Sequence, residues 1–167
     1  MKRWNAIASE YDPVKVASID GTDTRPHDRA VLRAIRARYK CSDKATSNPQ
    51  KTLFVARLSS ETTEETLRQV FAEFGTVTSL CLVRDIVTLE SRRYAFIEFK
   101  HRWQRREAYN SAHELVIDGS RVLVDFEHER TMSGWKPRRL GGGFGGRKES
   151  GQIRFGCRDR PWRKPIV

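Results

Sequence analysis

Residues 92–99, RRYAFIEF, constrain the fold more than any other stretch of this 167-residue chain. Tyr94, Phe96, Ile97 and Phe99 interleave with Arg93, Ala95 and Glu98 at the period of a β-strand. Successive strand side chains point to opposite faces. Ala95, Ile97 and Phe99 therefore form a small and apolar face suited to a core, while Arg92, Tyr94, Phe96 and Glu98 share the other. Two rings set between a cation and an anion suit burial poorly and suit the stacking of bases well. The octamer alone leaves a strand buried on both faces open as the alternative.

The neighbouring stretches decide between these. Residues 53–58, LFVARL, are apolar enough for a central strand. Thr62 and Glu65 have the spacing of a capping box, and Leu67, Val70, Phe71 and Phe74 follow at helical spacing until Gly75 stops the run. A second strand is expected over 77–84, a loop over 85–91 and the octamer as third strand. A second helix follows over about 102–112 with Ala108, Tyr109 and Ala112 inward, and the last strand over 121–126. Strand, helix, strand, strand, helix, strand is the ferredoxin-like βαββαβ order of an α+β fold. It predicts a four-stranded antiparallel sheet with two helices on one face and basic extensions at both ends. Two helices cover one face of such a sheet and leave the other open. The Tyr94/Phe96 face is the open one.

Charge separates this central part from its flanks. Residues 1–51 hold 11 Lys/Arg against 6 Asp/Glu, residues 52–126 hold 10 against 11, and residues 127–167 hold 11 against 4, within a total of +11. A polyanion partner is the expectation, with much of its phosphate contact coming from the extensions, and a basic tail that only keeps the protein soluble is the alternative. The arm, 1–51, reads as irregular to Thr24, with Asp12-Pro13 and Asp20-Gly21 as breakers. A short basic helix is then expected over about 26–40. It carries an apolar stripe of Val31, Ile35 and Tyr39 with Leu32 beside it, and a basic stripe of Arg29, Arg33 and Arg36, open either to phosphate or simply to solvent. The tail, 128–167, combines Trp135, Lys136, Pro137, Arg138 and Arg139 with the glycines of 141–146, open either to a backbone that follows an RNA groove closely or to a plain flexible linker.

Other classes find little support. No run approaches the ~18 apolar residues of a membrane span, and MKRWNAIASEYDP lacks the apolar centre of a signal peptide, so a soluble intracellular protein is expected. Cys41, Cys81 and Cys157 are too far apart for a zinc knuckle or redox pair, and His27, His101, His113 and His128 form no ligand pattern. There is no nucleophile motif of the G-x-S-x-G kind, and the glycine stretch is not followed by Gly-Lys-Ser/Thr. The expectation is a binding protein without enzymatic activity, metal or cofactor.

The octamer 92–99 resembles the first conserved motif of the RNA-recognition motif (RRM) family, with Arg93 where glycine is usual. Residues 53–58 resemble the second, with Arg57 where asparagine is common. The resemblance implies that Phe54, Tyr94 and Phe96 stack bases and that Leu123 and Asp125 border the same face. Lys51, Arg57, Arg84, Arg92 and Arg93 are expected as charged contacts around it, and Trp135, Lys136, Arg138 and Arg139 as a second contact in the tail.

The flanks narrow the resemblance. KTLFVAR at 51–57 and RTMSGWKPRRLGGGFGG at 130–146 look like a spliceosomal family, the 70-kilodalton proteins of the major 5′-splice-site snRNP. YDPVKVASIDGTDTRPHDRAV at 11–31 and GQIRFGCRDRPWRKP at 151–165 closely resemble the counterpart family of the minor spliceosome. The implied partners are a small nuclear RNA stem-loop and other proteins of the minor di-snRNP, in the nucleus, with no membrane and no small-molecule substrate. The major-snRNP family, and an RRM used mainly for protein binding, remain alternatives.

Overall fold

The computed structural model describes residues 3–145 and 153–164. Of the stretches singled out above, Gly146 and the outer residues of 151–165 lie outside the described residues. The chain contains α1 (Pro13–Ala17) and α2 (Arg29–Arg36), then β1 (Thr52–Ala56), α3 (Glu64–Ala72), β2 (Val77–Arg84), β3 (Ser91–Phe99) and α4 (Arg102–Ser111). β4 (Val116–Ile117), β5 (Ser120–Arg121) and β6 (Leu123–Phe126) follow, with short 3-10 turns at Pro49–Lys51 and Arg138–Leu140. They divide into two compact units, Met1–Ser42 with His128–Val167, and Asp43–Glu127.

In the central unit, 43–127, the strands order as β2-β3-β1-β6, all antiparallel. The register sets Phe54 opposite Phe96 and Ala56 opposite Tyr94, so the alternation read from the octamer holds across the sheet. Leu53, Val55, Ala95, Ile97, Phe99 and Val124 are buried on one face with Leu67 and Phe71 of α3 and Ala108 and Ala112 of α4. The helices form where the 3.6-residue spacing puts these apolar side chains on one stripe. Tyr109, partly buried, stacks on Phe126 at 4.0 Å between ring centres.

Two local expectations are corrected. The cap of α3 is Thr63, whose hydroxyl accepts from the Thr66 N–H at 3.2 Å; Thr62 is instead buried and donates to Asp118 at 2.7 Å. The expected strand 121–126 divides, because β5 first pairs with β4 in a hairpin, and only β6 joins the main sheet. Gln104 is an unforeseen inward residue of α4. Its side chain accepts from the His101 N–H at 3.1 Å and fills the space a Cβ on Gly75 would need.

The second unit joins arm to tail, and it has little regular structure. Asp12-Pro13, expected as a breaker, starts α1: the Asp12 carboxylate accepts from the Val14 N–H at 3.0 Å, with proline in the first turn. Proline there sacrifices no hydrogen bond. Asp28 caps α2 in the same way, through the Val31 N–H at 2.7 Å. That helix ends at Arg36, so Tyr39 lies beyond it, and Ile35 is 45% exposed. Its buried face is Ala30, Val31 and Ala34. Small side chains are needed because the Gly141 backbone packs directly on α2, where a Cβ would run into the Ala30 carbonyl.

The arm–tail core is aromatic. Tyr11 lies 5.2 Å from Trp135 and 5.3 Å from Phe144 between ring centres, and its hydroxyl donates to the Gly143 carbonyl at 2.9 Å. Val16 and Met132 are buried with it. Arg154, only 1% exposed, donates to the Gly141 carbonyl at 3.3 Å and lies 4.0 Å from Asp28.

Candidate nucleic-acid interface

Within residues 43–127, β1 and β3 bring three rings together on the sheet face opposite α3 and α4. Phe54 is 5.7 Å from both Tyr94 and Phe96, and Tyr94 is 6.1 Å from Phe96, measured between ring centres. All three are half-buried, so they brace one another while keeping ring surface accessible. The Arg92 guanidinium lies 5.3 Å from the Tyr94 ring centre. This triangle offers sequence-tolerant π surface to unpaired bases.

The two departures from the family pattern share one backbone feature. Arg57 has φ +61° and Arg93 φ +63°, in the left-handed region that glycine and asparagine occupy most easily. The Leu58 N–H donates to the Arg93 carbonyl at 3.1 Å, tying the two turns together at one end of the platform. Both side chains are exposed. The chain thus accepts local backbone strain at two exposed arginines at that end of the sheet.

The remaining expected residues divide. Arg84 is exposed at the end of β2, Lys51 half-buried before β1, and Leu123 half-buried opposite Ala56. Asp125 stands opposite Phe54 as the register requires, but it is 2% exposed and accepts from the Phe126 N–H at 2.7 Å. It is a buried carboxylate rather than an open polar border. Cys81, not foreseen, is exposed and directly opposite Phe96; continuing the face alternation from β3 across to β2 would have found it.

The β2–β3 turn is well ordered internally. Asp85 accepts from the Val87 and Thr88 N–H groups at 2.8 and 2.9 Å, and these amide bonds hold its carboxyl below the usual aspartate range.

In the tail, Trp135 sits in the aromatic core, 5.1 Å from Phe144. The Lys136 ammonium donates to the Ala37 carbonyl at the end of α2, at 2.7 Å. Arg138 is exposed and donates to the Phe144 carbonyl at 3.3 Å, and Arg139 is exposed with its guanidinium 5.5 Å from the Tyr39 ring centre. Gly141, Gly142 and Gly143 are buried, against Ala30, Lys136 and Arg138 respectively. The expectation of a glycine backbone open to an RNA groove is therefore corrected for these three: they close the arm–tail core. Nothing in local sequence distinguishes the two roles, because Ala30, against Gly141, and Tyr11, at the Gly143 carbonyl, lie more than a hundred positions away.

The sheet order, the ring triangle and the helix-backed core define an RNA recognition motif, and residues 53–123 match that family. The flanks carry the comparison further. The chain is 57% identical over 163 residues to the U11/U12 small nuclear ribonucleoprotein 35 kDa protein of Danio rerio, covering 98% of this chain and 78% of that one. Its likeness to the protein of the same name from Homo sapiens is 57% over 166 residues, covering 99% and 68%. The U1 small nuclear ribonucleoprotein 70 kDa of Drosophila melanogaster is more distant, 44% identical over 107 residues, 64% of this chain and 24% of that one. The chain belongs to the family of U11/U12 small nuclear ribonucleoprotein 35 kDa proteins.

Proposed function

We propose that this protein is an RNA-binding component of the minor spliceosome snRNP, acting in the splicing of minor-class introns in the nucleus. It binds a stem-loop of the particle's 5′-splice-site small nuclear RNA and works beside other proteins of the minor di-snRNP. Phe54, Tyr94 and Phe96 stack unpaired loop bases. Arg57, Arg84, Arg92, Arg93 and Lys51 neutralise phosphates around them, while Arg138 and Arg139 extend the contact from the tail. The role is recognition without catalysis. The observation that carries this reading is the ring triangle on the helix-free face of the sheet. The family of the flanks supports the particle.

Stacking contributes about 1–3 kcal/mol per base. Tyr94→Ala with Phe96→Ala is thus expected to weaken stem-loop binding by roughly 30-fold or more, read by filter binding. Crosslinking, followed by sequencing of the small nuclear RNA recovered from a nuclear extract, checks the RNA's identity. A second reading, the same fold used mainly for protein binding, draws on Trp103, 66% exposed on α4. RNA affinity that survives loss of both rings would favour it.

A further inference from the structure

The arm–tail unit, 1–42 with 128–167, holds 20 Lys/Arg against 8 Asp/Glu. Several of its cations are bound into the unit itself: Arg154 at Gly141 and Asp28, Lys136 at Ala37, Arg138 at Phe144, and Arg163 over the Phe155 ring at 4.8 Å. Arg29, Arg33 and Arg36 of α2 differ. All three are exposed, and none forms an ion pair with a described residue.

Helix geometry puts these arginines within an arc of about 60°, opposite the buried Ala30, Val31 and Ala34. The 1.5 Å rise separates them by about 6 and 4.5 Å along the axis. Like charges at i, i+3 and i, i+4 destabilise a helix. Arg29 also stands in the first turn, where the helix dipole disfavours a cation. The face is therefore held at a local cost, and the helix that holds it is anchored at both ends, by the Asp28 cap and by Lys136. Arg139, exposed over Tyr39, adds a fourth guanidinium from the tail beyond the C-terminal end.

Resting on the RNA-binding reading above, we propose that Arg29, Arg33 and Arg36, continued by Arg139, form a phosphate ladder that grips a base-paired RNA stem. No aromatic residue lies within Arg29–Arg36, and the Tyr39 ring beyond it lies against the Arg139 guanidinium, so the helical part of this face presents cations and no stacking ring. Its row of guanidinium groups on a rigid helix matches the regular phosphates of a duplex, which is recognised mostly by shape and backbone. The particular RNA need not be read here; the ladder sets orientation and electrostatic affinity.

The test uses the full chain and two probes, an RNA hairpin and its loop sequence without the stem, titrated by fluorescence anisotropy across a salt series. Each phosphate contact contributes about 0.7–0.9 to the slope of log affinity against log salt. Arg29→Gln with Arg33→Gln and Arg36→Gln is expected to lower the hairpin slope by about 2 to 3, with roughly tenfold weaker binding or more at ~0.1 M salt. Binding of the stemless RNA should stay the same. The corresponding triple lysine variant should keep the hairpin slope. An unchanged slope in the glutamine variant, an equal loss on both RNAs, or a slope lost in the lysine variant would each overturn the ladder. Tyr94→Ala with Phe96→Ala should weaken both probes at constant slope. If that fails while the glutamine variant behaves as expected, the ring reading falls and the ladder stands.

Discussion

The two units use the same alphabet for opposite purposes. Residues 43–127 hold 12 Lys/Arg against 13 Asp/Glu and build an aliphatic core under a sheet, leaving three aromatic rings on the other face. The arm–tail unit, with 20 against 8, builds its core from the rings of Tyr11, Trp135 and Phe144 and leaves Arg29, Arg33, Arg36, Arg138 and Arg139 exposed, with Arg154 buried. A sheet can expose aromatics because its hydrogen bonds and its other face hold it together. A unit whose described residues hold two short α-helices and no sheet must use large rings to bury enough apolar surface. On the proposed reading, base stacking falls to the near-neutral unit and long-range attraction to the basic one.

The strongest way to break this comparison is to disturb the arm–tail core alone. Gly141→Ala forces a side chain into the Ala30 carbonyl at a residue with φ +89°. Strain and overpacking together predict a loss of about 3 kcal/mol. Hydrogen exchange should show lost protection in 1–42 and 128–145, with 43–127 unaffected. Protection lost equally in both would mean that they do not fold as separate units. Next in size is the ring pair, Tyr94→Ala with Phe96→Ala, at roughly 2 kcal/mol or more of binding, which should leave arm–tail protection intact.

A smaller effect comes from Tyr11. Burial pushes its phenol above the ordinary value, outweighing the opposing pull of Arg154 and Arg138. The folded unit keeps a proton that an unfolded chain would release near pH 10. The stabilisation is therefore complete below about pH 10 and falls as pH rises above it. Tyr11→Phe should cost about 1 kcal/mol through the lost Gly143 hydrogen bond and remove this alkaline dependence, as read by thermal melts at neutral and alkaline pH. Smallest of all, Arg93→Gly relieves a left-handed backbone that disfavours arginine, but gives the unfolded chain more freedom. Its net gain in stability should be below about 1 kcal/mol, with weaker RNA binding at low salt. A stability loss in chemical denaturation would contradict the strain.

Much of the central unit was legible because its signals are local. The octamer's alternation specified both faces of β3, and the spacing of Leu67, Val70, Phe71 and Phe74 identified α3. Errors there were shifts of a residue or a short split, as with Thr62 and Thr63 or β5 and β6, where side-chain partners choose among equivalent caps and turns. The site was half legible. Phe54, Tyr94 and Phe96 come together as their alternation requires, while Asp125 is buried and Cys81 was missed.

The arm and tail were legible as a family and not as a structure. Tyr11, Trp135 and the glycines were visible as residues, but pattern alone could not join positions more than a hundred apart without a repeating period. By itself the sequence determined the βαββαβ order, the ring platform and the charge difference between centre and flanks, because each is a property of spacing or composition. Only the tertiary structure decided that Gly141–Gly143 close a core instead of tracking RNA, that Trp135 and Lys136 hold the unit together, and that α2 is left presenting its arginines. Those outcomes depend on which distant surfaces meet, and close packing between them sets where a side chain has room.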